Sequence, residues 1–235
     1  MRIIAGAFRG HTLLAPPGRT TRPMTDRVRE NLFNLLGPEA CADAVVLDLF
    51  CGSGALGLEA LSRGAAWCTF VDAARAAVAA AEANVRRLRL ARRARVVHRD
   101  ALRPGPWLAP PTHAGRYTLL FVDPPYKIPA EAEGRRRLAA MVRRLTDLGY
   151  VARGAVAVLR AARGTETDTP WEGFDLVERR TYGTTTLYLM VHRGAETTAP
   201  SGGGPDPAGR AANPPASGGG DGQQEGEAPA RCEEP

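Results

Sequence analysis

The chain has 235 residues with 31 basic and 25 acidic side chains, a net charge of +6. No apolar run approaches the 18 residues that a membrane helix needs, and the N-terminus lacks the apolar core of a signal peptide, so neither a spanning anchor nor export is expected. Four cysteines without C-x-x-C spacing and four scattered histidines offer neither a metal site nor a disulfide framework, and a reducing cytoplasm is the expected compartment.

The charge is uneven. Beyond Val191 the chain holds no Val, Ile, Leu, Met, Phe, Tyr or Trp, so residues 194–235 cannot bury enough apolar surface to offset their ordering entropy and are expected to be a disordered tail. That tail carries seven acids and two arginines; the part before it holds 29 basic and 18 acidic residues, a net +11. Such a surplus suits a polyanionic partner. Only Lys127 among the basic residues is a lysine, however, and GC-rich coding alone would produce an arginine bias. The charge supports a nucleic-acid partner without carrying the argument.

In chain order, residues 2–14 alternate apolar and polar side chains around Gly6 and Gly10 and predict a β-hairpin arm over residues 1–21. Thr25 is placed as an N-cap, with Asp26 in the first turn and Gly37-Pro38 ending a helix whose apolar stripe is Val28, Leu32, Leu35 and Leu36. The alternation of a doubly wound α/β sheet follows over residues 22–193. Strands are predicted at 45–50, 68–72, 95–98, 117–123 and 155–160, with helices through Arg63, over 73–90 and over 131–148. Residues 104–114 hold too many prolines for an element. Residues 174–181 and 185–192 alternate around Tyr182-Gly183-Thr184 and predict an antiparallel hairpin closing the sheet.

Two stretches carry chemistry. The first, Asp48 to Gly57, contains the G-x-G-x-x-G of Gly52, Gly54 and Gly57, directly after a strand and at the opening of a helix. Asp72 stands twenty residues beyond Gly52 at the end of the second strand, where a carboxylate accepts both ribose hydroxyls. These features alone fit a nicotinamide dinucleotide and an adenosyl cofactor equally. Asp48 separates them, because a carboxylate inside the site repels a pyrophosphate and suits the ammonium of a methionine tail. Asp100, after the third strand, can accept from an adenine amine. Acids on successive strand ends thus match S-adenosylmethionine, with an amine at each end and a diol between them.

The second stretch is Leu119-Leu120-Phe121-Val122-Asp123-Pro124-Pro125-Tyr126. Four apolar residues read as a strand buried on both faces. Two prolines then stop it and fix Asp123 at the carboxyl edge, where α/β sheets hold ligands. The Asp123 carboxylate, the Pro124 carbonyl and the Tyr126 ring offer acceptors and a flat surface to a planar heterocycle bearing an NH2 group.

With those residues in view, the chain resembles the class I S-adenosylmethionine-dependent methyltransferases of the amino-methylating type, whose signature is (Asn/Asp)-Pro-Pro-aromatic. More closely it resembles the RsmD family, which methylates the N2 amine of a guanine in small-subunit (16S) ribosomal RNA. The resemblance runs from residue 2 to about 192 and rests on residues 2–6, Arg22-Pro23, residues 25–30, 48–63 and 122–126, and Tyr182-Gly183. It implies a Rossmann-like sheet, mostly parallel, with helices on both faces and S-adenosylmethionine as cofactor. Asp123, Pro124, Pro125 and Tyr126 would then be the catalytic motif. The cofactor would lie against Asp48, Phe50, Gly52, Ser53, Gly54, Gly57, Asp72, Asp100, Ala101, Thr25 and Arg27, and RNA against Arg2, Arg9, Arg22 and Arg29. The partner implied is ribosomal RNA or a small-subunit particle, and a monomer without metal is expected. Met24 and Ala74 depart from the family's threonine and polar residue. Two other readings stay open: a DNA adenine-N6 methyltransferase, which ordinarily needs a larger recognition insertion, and an RNA-binding assembly factor whose methylation site has lapsed.

Overall fold

The computed structural model describes residues 1–17, 24–111, 115–165 and 171–194. Arg22 and the tail from residue 195 lie outside them. Seven strands form one sheet: β1 (Val45–Leu49), β2 (Trp67–Asp72), β3 (Ala94–His98), β4 (Tyr117–Val122), β5 (Val151–Ala162), β6 (Phe174–Tyr182) and β7 (Thr185–His192). Their order is β3-β2-β1-β4-β5-β7-β6. β7 runs antiparallel to both its neighbours while β1 to β5 pair in parallel, so β6 runs with the others and β7 alone is reversed.

The two central strands explain the apolar runs in the sequence. β1 is buried throughout, and its residues divide between two cores. Val46 packs with Leu119 and Phe121 of β4 on one face, while Leu47 and Leu49 pack with Leu120 and Val122 on the other. The first face is covered by α1 (Asp26–Leu36), α2 (Ala55–Ser62) and α3 (Arg75–Arg87) through Leu32, Phe33, Leu58, Leu61 and Val85. The second is covered by α5 (Ala132–Asp147), whose Leu138, Met141, Val142 and Leu145 recur at helical spacing and are buried. Each such side chain contributes about 1.5–3 kcal/mol on leaving water.

Several sequence expectations are corrected. The N-terminal hairpin has its turn, with Ile3 N–H donating to the His11 carbonyl and Gly10 N–H to the Ile3 carbonyl, but only one isolated bridge, Arg2 to Thr12, and no strand. The reason is competition for its donors. Ile4 and Ala5 N–H donate to the Glu59 carboxylate, Phe8 N–H to Ser62 Oγ and Ala7 N–H to the Ser62 carbonyl. The segment is therefore bonded to α2 as well as across its own turn. The helix expected over 131–148 is preceded by a short α4 (Lys127–Ala130), and the proline-rich loop contains a 3-10 turn at Pro106–Leu108. β5 starts at Val151, four residues earlier than expected, beyond a register shift against β4 between Tyr117 and Leu119. Arg153-Gly154 concealed that extension.

Candidate active site

The glycine loop joins β1 to α2 through left-handed backbone, with φ of 60° at Phe50, 55° at Gly52 and 81° at Gly54. Phe50 is the only one of these with a Cβ, so the strain is concentrated there. Gly57 serves packing instead: a Cβ would lie 2.4 Å from Phe70 Cε1 and 2.5 Å from Cys68 Sγ, so only glycine lets α2 settle on β2. Asn84 of α3, which the sequence did not mark, ties the loop down. Its Nδ2 donates to the carbonyls of Ser53 and Leu14, each at 2.9 Å, while its Oδ1 accepts from Leu14 N–H at 2.8 Å.

Three carboxylates stand at the carboxyl ends of neighbouring strands. Asp48 is buried; its Oδ2 accepts from Gly57 N–H at 2.9 Å, and its buried Oδ1 has no hydrogen-bond partner among the described residues. Burial pushes this carboxyl up to about 8, opposed by the Gly57 N–H and reinforced by the charges of Asp123 and Asp72. A buried oxygen without a donor is costly, so the position calls for a cation. Asp72 accepts from Gly52 N–H and Ala74 N–H, both at 2.9 Å, which fixes its direction while each oxygen keeps a lone pair for a diol. Asp100 accepts from Leu102 N–H at 3.0 Å and lies 3.8 Å from Arg103 Nε; Ala101 beside it is buried. This donor-seeking set fits S-adenosylmethionine: Asp48 would take the ammonium, Asp72 the ribose and Asp100 the adenine amine.

The fourth carboxylate faces a different neighbourhood. β4 ends with Val122 paired to Leu49 and Leu159, and Asp123 N–H donates to the Leu49 carbonyl at 3.3 Å. One residue further along β5, Arg160 Nε donates to Asp123 Oδ1, closing an ion pair. The Arg160 guanidinium also stands 5.1 Å from the Tyr126 ring centroid, and Tyr126 Oη meets Thr185 Oγ1 at 2.7 Å. Burial pushes the Asp123 carboxyl up to about 6, against the pull of Arg160. Neither Arg160 nor Thr185 was singled out from the sequence. A cleft of about 660 Å³ opens over this group, lined by residues that include Met24, Thr25, Arg27, Tyr126, Arg160 and Tyr182. Thr25 and Arg27, expected at the cofactor, thus gather with Tyr126; Thr25 Oγ1 also caps α1 by accepting from Val28 N–H at 3.3 Å.

The expected RNA-binding arginines divide. Arg2 and Arg9 are exposed, Arg2 lying 3.7 Å from Asp26. Arg22 lies outside the described residues. Arg29 is corrected outright: it is fully buried, donates to the Arg2 carbonyl and, at 3.0 Å, to Asp26, and cannot meet a phosphate. The reason is its place on α1, on the same buried face as Leu32 and Phe33. Among the described residues no cluster of His, Cys, Asp or Glu is placed to hold a metal, and no helix is long and apolar enough to cross a membrane.

A sheet with only its seventh strand reversed, a glycine loop after the first and acids at the strand ends define a class I S-adenosylmethionine-dependent methyltransferase. Within that class the chain belongs to the family described as Conserved hypothetical protein 95, whose pattern matches residues 1–191. It is similar to the Bacillus subtilis protein YlbH, with 36% identity over 201 residues, covering 83% of this chain and 100% of the relative. It is 42% identical over 152 residues to the Escherichia coli protein named Ribosomal RNA small subunit methyltransferase D, covering 65% of this chain and 70% of the relative. The solved structure of Escherichia coli yhhF superposes with a TM-score of 0.66 at 36% identity, covering 83% of this chain and 99% of that one.

Proposed function

We propose that this protein transfers a methyl group from S-adenosylmethionine to the exocyclic N2 amine of a guanine in 16S ribosomal RNA, acting as a cytoplasmic monomer. The observation that carries the reading is the Asp123 carboxylate held by Arg160, which itself stands over the Tyr126 ring and lines the cleft with it. The name of the Escherichia coli relative supports ribosomal RNA as the class of substrate.

The cofactor supplies an electrophilic methyl carbon whose transfer leaves a neutral thioether. What this chain supplies is orientation. The guanine has to leave its stack, because a paired or stacked base hides its amine. Tyr126, pinned by Thr185, offers it a ring to lie on. Asp123 and the Pro124 carbonyl accept from the two N–H groups of N2, which aims the nitrogen lone pair at the methyl carbon. The new N–C bond forms as the C–S bond breaks and its electron pair stays on sulfur. Asp123 then takes the proton that N2 sheds. Holding two reactants in line supplies much of the acceleration such a site needs. The test is nucleoside mass spectrometry of 16S ribosomal RNA from cells with and without the gene: loss of one N2-methylguanosine supports the reading, and an unchanged amount refutes it.

A further inference from the structure

We propose that Arg160 is a positioning residue for methyl transfer: it holds the Asp123 carboxylate by one oxygen and braces Tyr126, so that the other oxygen points to the target amine. The inference rests on the reading of Asp123 as the group that holds the amine.

Arg160 is 7% exposed, at a sheet position flanked by β4 on one side and Leu187 of β7 on the other. A long cation in such a place loses its rotamer freedom and its water, so its contacts must compensate. Two of those contacts are the amine-holding residue and the base-stacking residue of the proposed site. Asp123, Arg160, Tyr126 and Thr185 form one chain of contacts from the end of β4 through β5 and α4 to β7. An unbraced carboxylate rotates between acceptor directions, and a misplacement of about 1 Å costs on the order of 100-fold in rate. Binding of one oxygen by a planar guanidinium removes that freedom.

The pair also sets the charge on Asp123. The charged groups facing it are Arg160 from β5, which favours the carboxylate, and Asp48 from β1, which is coupled to it by repulsion. Arg27 lines the same cleft from α1. Removing Arg160 therefore raises the pH at which Asp123 ionises.

The test is single-turnover methyl transfer to unmodified 16S ribosomal RNA across pH. Arg160→Gln should slow the step by roughly 10–100-fold, with S-adenosylhomocysteine affinity within about 2-fold, and should move the acid limb upward from about pH 6. Arg160→Lys should recover part of the rate and return the limb. An unmoved limb with a rate within about 2-fold of wild type overturns the proposal. Because replacing a buried arginine can unfold the chain, a second measurement uses the wild-type protein. The Arg160 Nε–H resonance should titrate with Asp123 and stop titrating in Asp123→Asn; a resonance indifferent to that variant overturns the proposal. Wild type that methylates no ribosomal RNA would sink the substrate assignment, while the resonance would still report on the pair.

Discussion

At Arg29 and at Arg160 an arginine is buried against carboxylates, and the two surroundings differ in what else those carboxylates hold. Glu59, fully buried on α2, accepts from Ile4 N–H at 2.7 Å, Ala5 N–H at 3.0 Å and Arg63 Nε at 2.8 Å, with Arg29 Nε at 3.9 Å. It is occupied by the fold itself. Asp123 meets Arg160 through one oxygen, and it is Arg160 that lines the cleft. A carboxylate surrounded by its own chain's donors organises structure; one with acceptor capacity left over at a strand end is available to a ligand. Burial of a charge is therefore not a signal of function until the donors around it are counted.

Breaking the first cluster should have the largest effect. Glu59→Ala leaves Arg63 without its carboxylate and Arg29 with Asp26 alone, and frees the N-terminal segment, for an expected loss of about 3–5 kcal/mol in urea unfolding. Gly6→Ala should act at the same joint, because a Cβ at its φ of 80° would stand 1.9 Å from the Ser62 carbonyl oxygen. The contrasting change, Asp123→Ala, should move the unfolding midpoint less, because it removes one ion pair at a cleft-lining arginine, whereas Glu59→Ala removes the bonds to Ile4, Ala5 and Arg63 together. A stable Glu59→Ala protein would dissolve the distinction.

Asp72→Ala sharpens the comparison on the cofactor side, with S-adenosylhomocysteine binding weakened by roughly 1–3 kcal/mol in calorimetry. An unchanged dissociation constant would remove Asp72 from the ribose.

Asp48 is the acid with a vacant oxygen, and pH exposes it. Its pKa is raised to about 8, so between about pH 4 and pH 8 the folded, ligand-free protein keeps a proton that the unfolded chain has lost. Stability should accordingly fall as pH rises through that window, and a bound ammonium should expel the proton. Calorimetry in buffers of different ionisation enthalpy should show proton release near pH 7 and affinity that rises towards pH 8. Asp48→Asn should abolish both and raise the melting temperature of the ligand-free protein at pH 8 by about 2–8 °C. Binding without proton release would contradict the placement of the ammonium.

The smallest effect belongs to the exposed cations. Neutralising Arg9 and Arg27 should lower the log–log salt slope of RNA binding by up to about one unit for each phosphate left without its arginine, without touching stability. A slope that does not change would return both to the solvated surface.

Much of the catalytic frame was legible because it is local. An apolar strand that ends at an acid and two prolines announces Asp123, and the glycine loop with an acid twenty residues on announces Asp72. Arg160 was not legible: one arginine closing a strand in an arginine-rich chain has no distinguishing neighbours, and only the register of Val122 with Leu159 brings it to Asp123. Arg29 was misread for a physical reason. Its spacing to Leu32 and Phe33 is that of a buried helix face, but an arginine is ordinarily excluded from such a face, and the acids that admit it, Asp26 and Glu59, include one thirty residues away. The N-terminal hairpin pairs across its turn but over a shorter length than the alternation suggested, since the N–H groups of Ile4, Ala5 and Phe8 go to α2.

The most direct test of the account is the product of the purified protein. Wild type and Asp123→Ala would be given radiolabelled S-adenosylmethionine and 16S ribosomal RNA from cells lacking the gene, and the RNA digested to nucleosides. The account predicts label in N2-methylguanosine from wild type and none from Asp123→Ala, with both proteins still melting cooperatively. Label in N6-methyladenosine, or undiminished transfer by Asp123→Ala, would contradict it.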